Sequence, residues 1–397
     1  MNALVRQGKP IRVQLAKELT REIKRGHCWL YSHAIDQHRG PAGSVAMIWD
    51  RRGQKQIASG ICDFDHPIPI RVCCTAPPFT LDDQWLRRRL EQAIEFRERA
   101  FNSSTTGRRL IAGEGDRIPG LVVDHYADTL VLKLDGGAPE HFYRPDAIAE
   151  WLVERTGATC VVQRFRGRQS TAAVLAGDLS GEAIPFFENG IRFRADVMAG
   201  QKTGFFLDQR DNRHLVRTIS HGLRVLNLFS FSGGFSVAAG KGGAEHVTSV
   251  DLAPAAIRDA NTHWTLNDLP ETQHLGVTAD CFEFLQQAHQ EKQRWDLVIC
   301  DPPSFAPNEK SRPAALAAYE KLAVMCSKLT ARGGYLALAS CSSHITQEDF
   351  LRSSAEALGK ARRSATLLAN KGLPIDHPTP LAMPELNYLK FLLFRLD

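Results

Sequence analysis

Cys341 stands in the run Ser340-Cys341-Ser342-Ser343, directly after a stretch of strand composition, Gly334–Ala339. A thiolate is strongly nucleophilic and leaves again readily, so a cysteine at a strand end suits a covalent step at an electron-poor carbon. The flanking serines are polar and mark where the strand reaches the surface. The preceding strand-like stretch, Asp296–Cys300, runs into Asp301-Pro302-Pro303-Ser304-Phe305. Two prolines stop a helix from starting and stiffen the loop, which fixes the Asp301 carboxylate at the lip of a sheet. Such a loop suits gripping a flat base, with Pro302 towards a cofactor and Pro303 towards a substrate. A carboxylate and a thiol on neighbouring strand ends suit one reaction in particular. Carbon 5 of cytosine takes a methyl group only after a nucleophile has added at carbon 6, and Cys341 is the candidate for that addition. Cys300, preceded by Leu297, Val298 and Ile299, reads as core.

A second cluster sits upstream. A strand-like stretch ends in Asn227-Leu-Phe229-Ser230-Phe-Ser-Gly233-Gly234, a glycine pair at the turn into a helix. Glycines there let backbone amides approach a ligand without a Cβ in the way. The next strand ends in Asp251, 18 residues after Gly233, the place of an acid that bonds a ribose diol. The turn lacks both GxGxxG and a phosphate-loop GK[ST], so it is poorly equipped for a pyrophosphate or triphosphate. A sulfonium nucleoside carries neither, which favours S-adenosyl-L-methionine over NAD or ATP. Asp280, after the third strand, has two open readings: a contact to an adenine edge, or a plain helix N-cap.

These residues need a scaffold. From about residue 224 the chain alternates strand and helix: strands at Arg224–Phe229, His246–Val250, His274–Thr278, Asp296–Cys300, Gly334–Ala339 and Tyr388–Phe394, with helices at Phe235–Gly240, Ala253–Leu266, Cys281–His289, Ala314–Leu329 and Thr346–Leu358. The last helix opens with Thr346 and Asp349 in capping-box register. The pattern is α/β, a doubly wound sheet whose ligand chemistry lies at the carboxyl ends of its strands. Upstream, Ser44–Trp49 and Ile70–Cys74 belong to a small β-rich module, punctuated by Gly40, Pro41, Gly53 and Gly60. A helix spans Thr80–Phe101, with Thr80 and Asp83 resembling a capping box. A mixed α+β region, with strands at Gly120–Val123, Thr129–Leu134 and Cys160–Arg164, continues to about residue 195.

The chain of 397 residues exceeds one ordinary hydrophobic core, so more than one domain is expected. Its nine cysteines form no CxxC pair and no cluster with metal spacing, so no metal is expected and the thiols read as reduced. No stretch has the roughly 20 apolar residues of a spanning helix, and the start lacks a secretion signal, which implies a cytoplasmic protein with no membrane partner. Residues 1–26 hold seven Lys or Arg against Glu18 and Glu22. That excess is a foothold for phosphate or a solvated basic terminus.

Longer runs carry a resemblance. The chain resembles the bacterial 23S ribosomal RNA cytosine-5 methyltransferases with an N-terminal PUA domain, the Rlm group. The similarity is visible in Gly26-His27-Cys28-Trp29, in Arg109 to Asp124 and in Gly200-Gln201-Lys202-Thr203-Gly204 through Asp208-Gln209-Arg210-Asp211-Asn212-Arg213. It continues in the glycine turn, in Asp301-Pro302-Pro303, in Ser340-Cys341-Ser342, and in Asp376-His377-Pro378 and Tyr388-Leu-Lys390. The resemblance implies three domains: a β-barrel PUA domain for RNA binding over 1–76, a central α+β linking domain over 77–195, and a class I, Rossmann-like methyltransferase domain over 196–397. It also implies that Lys202, Thr203, Phe206, Asp208, Gln209 and Arg213 lie around the active-site mouth, with Gln209 and Asp208 near the cofactor and Lys202 and Arg213 near the substrate. Two departures stand out: Cys28 where the family commonly has proline, and Ser304 where some relatives have lysine; many RNA cytosine-5 methyltransferases of another group place a second cysteine after the proline of the fourth-strand loop to help release the product, and this chain has none there.

The implied activity is methylation of carbon 5 of a cytosine in 23S ribosomal RNA, naked or in large-subunit particles, through a Cys341–carbon 6 adduct, with a homodimer left open. Methylation of an RNA nitrogen, which needs no thiol, and a non-catalytic RNA-binding protein are the alternatives.

Overall fold

The computed structural model describes residues 2–36, 39–165, 172–179, 181 and 183–397. The chain divides into two compact units. The first comprises Met1–Glu188, Arg194–Leu207 and Ile375–Pro384, and the second Asn189–Phe193, Asp208–Pro374 and Glu385–Asp397.

The first unit holds two five-stranded sheets. In one, the strands lie in the spatial order Ile11–Gln14, Ser44–Trp49, Gln56–Cys62, Ile70–Cys74 and Trp29–Leu30. Along Ser44–Trp49 every second residue is buried, which puts Ala46 and Ile48 in a core with Val13, Ile57 and Ile70. The other runs Ala172–Gly177, Cys160–Arg164, Thr129–Leu134, Leu121–Tyr126 and Gly107–Ala112. Helices Asp83–Ala100 and Pro145–Thr156 contribute Leu86, Leu90, Ile94, Ile148 and Leu152 to its core.

The expected capping box at Thr80 and Asp83 does not form. Asp82 is the N-cap, accepting the Trp85 amide at 2.8 Å. The Asp83 carboxylate instead accepts the amides of Leu4 and Val5, so a long-range strap outcompetes the local reciprocal pair. Buried guanidiniums brace this unit: Arg71 pairs with Glu114 and Asp135, and Arg97 with Asp116.

The second unit is built on a seven-stranded sheet. Its strands are β1 (Arg224–Leu228), β2 (His246–Asp251), β3 (His274–Thr278), β4 (Trp295–Cys300), β5 (Thr330–Ser340), β6 (Ala365–Lys371) and β7 (Lys390–Leu396). Their spatial order is β3-β2-β1-β4-β5-β7-β6. The first five are mutually parallel, β7 is antiparallel to β5, and β6 is antiparallel to β7. Helices α1 (Arg210–Ile219), α2 (Gly234–Lys241), α3 (Pro254–Leu266), α4 (Cys281–Gln290), α5 (Arg312–Leu329) and α6 (Gln347–Lys360) belong to it. The central strands are nearly continuous apolar runs, as befits strands covered on both faces: Leu226, Leu228, Val298, Leu336 and Leu338 are all buried.

Here the Thr346–Asp349 capping box is present. Because the order reverses at β1 and β4, their following loops diverge and open a crevice at the carboxyl edge. The reading missed β6, an exposed edge strand whose residues do not alternate in burial. No helix among the described residues is long and apolar enough to cross a membrane.

Candidate active site

The turn after β1 is held open by strained backbone. Phe229 and Phe231 adopt positive φ, 56° and 46°, which side-chain-bearing residues keep only when their surroundings enforce it. The enforcing contacts come from β2. The Ser230 amide donates to the Val250 carbonyl at 3.0 Å, and the Phe231 amide to Asp251 Oδ2 at 2.8 Å. Asp251 Oδ1 accepts the Ala253 amide at 2.9 Å, so one half-buried carboxylate ties the two loops together.

Gly233 has a packing reason of its own beside the ligand approach expected of it. Its φ is +75°, and a Cβ there would lie 2.7 Å from the Ala260 Cβ on α3. The glycine therefore lets two helices approach, and the space its Cβ would occupy is filled by protein. Gly234 opens α2.

The N-cap reading of Asp280 is met. Its Oδ1 caps α4, accepting the amides of Phe282 and Glu283 at 2.8 and 3.1 Å. Oδ2 takes no part in the cap. The Ser230 hydroxyl, in the β1 turn, is buried with no partner among the described residues. A buried orphan hydroxyl, an uncommitted carboxylate oxygen and no phosphate-binding loop fit a nucleoside with a neutral-to-cationic tail. No group of three or more His, Cys, Asp or Glu among the described residues could hold a metal.

At the other side of the crevice, Asp301 follows β4 and Cys341 follows β5. Gln209 Nε2 donates to Asp301 Oδ2 at 2.9 Å, while Gln209 Oε1 accepts from Asn212 Nδ2 at 2.6 Å. Both ends of the Gln209 amide are thus used by protein, and the residue aims the Asp301 carboxylate. Ser342 fastens the two strand-end loops. Its hydroxyl lies 3.0 Å from that of Ser304 and 2.9 Å from that of Tyr319, and 3.4 Å from the Ala306 amide. Seven of the nine cysteines are buried, whereas Cys341 and Cys74 are half-buried. Burial pushes the Cys281 thiol up to about 12, and the hydrogen bond to Cys326 together with burial holds the Cys300 thiol well above the ordinary thiol value. Neither suits nucleophilic work at neutral pH, and Cys300 is core as expected.

Asp208 is buried and accepts the Tyr388 hydroxyl at 2.7 Å. Arg213 is also buried, on α1. Lys202 and Thr203 belong to the first unit, where the Lys202 ammonium lies 4.3 Å from the Phe206 ring centroid. Thr203 donates to Asp124 at 2.6 Å and pairs with Tyr126. Sequence reasoning missed Tyr319, Ser342 as a hub, and Lys390, which is buried on β7 and hydrogen-bonds the Ser342 carbonyl.

Comparisons with known proteins fit this geometry. The pattern of a family described as S-adenosylmethionine-dependent methyltransferase matches residues 154–370, and that of a PUA-like domain matches residues 13–74. The chain is 39% identical to a "Ribosomal RNA large subunit methyltransferase" of Deinococcus radiodurans, over 100% of both chains. It is 33% identical to a "Ribosomal RNA large subunit methyltransferase I" of Tolumonas auensis, over 96% of this chain and 98% of that one. Among solved structures, an S-adenosylmethionine-dependent methyltransferase from Streptococcus mutans superposes with a TM-score of 0.86 over 97% of this chain and 100% of its own, at 24% identity. A methyltransferase solved in complex with SAH gives the same TM-score over 98% of this chain. At that identity these structures speak to the fold alone.

Proposed function

The chain belongs to the S-adenosylmethionine-dependent methyltransferases and carries a PUA-like domain ahead of the methyltransferase fold, and from that premise we propose that it methylates carbon 5 of a cytosine in large-subunit ribosomal RNA, with Cys341 as nucleophile. The names of its relatives support the RNA. The observation that carries the base and the mechanism is the Ser304–Ser342 hydrogen bond, which ties the Asp301 loop to the Cys341 loop. A carboxylate and a half-buried thiol thereby stand at adjacent strand ends. Nitrogen methylation needs the first and has no use for the second.

The cofactor would be held by the β1 turn with Phe229, Ser230 and Gly234, by Asp251 at a ribose diol, and by Asp280 Oδ2 at an adenine edge, with Pro302 closing that side. When bound, S-adenosyl-L-methionine supplies an electrophilic methyl group. On the protein side, Asp301, aimed by Gln209, bonds the N3 and amino edge of a cytosine that has left its stack. The Cys341 sulfur forms a bond to carbon 6, the electron pair displaced from the 5,6 double bond moves through carbon 4 onto N3, and N3 takes the proton of Asp301, which enters the step as the acid. Carbon 5 is then nucleophilic enough to be methylated. Methylation re-forms the N3–carbon 4 double bond and returns the N3 proton to Asp301; the carbon 5 proton then passes to water, its electron pair re-forms the 5,6 double bond, the carbon–sulfur bond breaks, and the thiolate is restored. Pro303 borders the base, and the PUA-like module with the basic N-terminal segment supplies affinity for the RNA backbone.

The test is nucleoside analysis of large-subunit RNA after incubation with the protein and labelled methyl donor, naked and as particles. Labelled 5-methylcytosine is expected, together with a covalent adduct on 5-fluorocytosine RNA that Cys341→Ala abolishes. Label in a nitrogen-methylated base, with Cys341→Ala still active, would overturn the reading. So would RNA binding with no transfer at all.

A further inference from the structure

Lys390 opens β7, and the antiparallel register of β7 against β5 sets it opposite Ser340, next to the thiol in sequence. It is 1% exposed. Its Nζ donates to the Ser342 carbonyl at 2.5 Å and to the Tyr388 carbonyl at 2.7 Å. An ammonium has three donors. Two carbonyls leave the third without a hydrogen-bond acceptor among the described residues, in a place that water scarcely reaches. An enclosed cation with an open donor is costly, and burial pushes Lys390 down to about 8, while the neighbouring Cys341 pulls it back up.

The other groups at this corner cannot supply positive charge. Tyr319, from α5, reaches Ser342 through its hydroxyl; burial, with Cys341 adding to it, raises its pKa. Asp301 ends the neighbouring strand β4 and is engaged by Gln209. Cys300 lies behind it, enclosed and bonded to Cys326. Ser304 and Ser342 are neutral. Of these groups, Lys390 alone can face a sulfur anion favourably.

We propose that Lys390 is a positioning residue that keeps Cys341 as a thiolate, its ammonium anchored by two carbonyls and its third N–H directed to the sulfur. Forming the pair breaks the S–H bond. The proton goes to Nζ when the amine starts neutral, and to water when it starts as the ammonium. The same pair stabilises the sulfur as it leaves carbon 6. This role rests on Cys341 being the nucleophile proposed above, yet it can be measured on the thiol itself.

The experiment is alkylation of the full chain by iodoacetamide across pH, without cofactor or RNA, with rates at each cysteine read by mass spectrometry. Cys74, the other half-buried thiol, is the reference within the same molecule. In the unmodified protein, Cys341 is expected to reach half its maximal rate at least about one pH unit below Cys74. Lys390→Gln, which keeps a donor and loses the charge, should slow Cys341 about tenfold at neutral pH and move its midpoint up by about one unit, leaving Cys74 unchanged. Lys390→Arg should retain the low midpoint.

A Cys341 midpoint level with or above that of Cys74 overturns the proposal, as does a Lys390→Gln midpoint that does not move. If Lys390→Gln fails to fold, the unmodified protein and Lys390→Arg decide. A protein with a thiolate at Cys341 but no 5-methylcytosine in the RNA assay sinks the proposed function instead, so the two failures are distinct.

Discussion

The hydroxyls of Ser304 and Ser342 lie 3.0 Å apart, joining the loop after β4 to the loop after β5. Ser342 also meets the Tyr319 hydroxyl at 2.9 Å, so one buried side chain holds three partners with the Ala306 amide. Ser342→Ala leaves the Tyr319 hydroxyl and the Ala306 amide short of a partner in a dry place. Stability should fall by about 1–3 kcal/mol, the range for stranding buried polar groups. Because Asp301 and Cys341 then lose their common brace, kcat should fall by at least about tenfold, with cofactor affinity little changed. Urea denaturation and methyl-transfer kinetics check the two effects separately. Full activity in Ser342→Ala would show that the loops need no fastening.

Gln209 makes a sharper case, since its amide bridges Asn212 and Asp301. Gln209→Leu keeps the volume and removes both bonds. The Asp301 carboxylate then loses its aim, and we expect kcat to drop about 10- to 100-fold while KM for the cofactor stays within about twofold. A rise in cofactor KM at constant kcat would place Gln209 at the cofactor, as the family resemblance implied.

How much of this could be read in the sequence follows the range of the interactions. The strand-end positions of Asp301 and Cys341 were legible because each sits where an apolar run gives way to prolines or serines, a signal confined to a few residues. The Thr346–Asp349 cap was legible for the same reason, being reciprocal and local. Lys390 was not, because its place opposite Ser340 depends on an antiparallel register between segments some 50 residues apart (390 against 340). Tyr319 lies on the helix between the two loops it braces, and nothing in its spacing marks it out. Asp83 shows the reverse failure: a plausible local cap was pre-empted by the amides of Leu4 and Val5. Strand β6, exposed along its length, offers no alternation to detect.

Gly233 allows a prediction with its own control. Gly233→Ala suffers twice: φ is +75°, and the new Cβ meets the Ala260 Cβ at 2.7 Å and Cα at 3.0 Å. The left-handed conformation costs about 1–2 kcal/mol for a non-glycine residue, and the clash adds to it. A loss of about 2–4 kcal/mol is expected in denaturant unfolding. Adding Ala260→Gly removes the Cβ collision but leaves the strained φ and the contact with the backbone of α3, so it should recover part of the loss. Complete recovery would mean that φ costs nothing here, and no recovery that the helix contact is irrelevant.

His274 links the cofactor-side scaffold to pH. Its Nε2 lies 2.7 Å from the Ser249 hydroxyl, which continues through Ser236 to Asn227 beneath the β1 turn, and its ring stacks on Trp264 with centroids 4.6 Å apart. Burial, helped by the charge of His246, lowers its pKa from 6.5 to about 4. The folded state therefore resists a proton that the unfolded chain accepts. Above about pH 6.5 both states are neutral at this ring and its contribution is fully present. As pH falls from there towards 4, only the unfolded state binds the proton, and stability is lost. The loss should be on the order of 1–3 kcal/mol at the lower end of that window. His125, in the first unit, is lowered to about 4 as well and adds a parallel term there. In His274→Gln, which preserves a donor and acceptor but does not titrate, unfolding of the methyltransferase unit should lose part of this acid slope. An unchanged slope would mean that the ring takes up its proton as readily in the folded protein as in the unfolded chain.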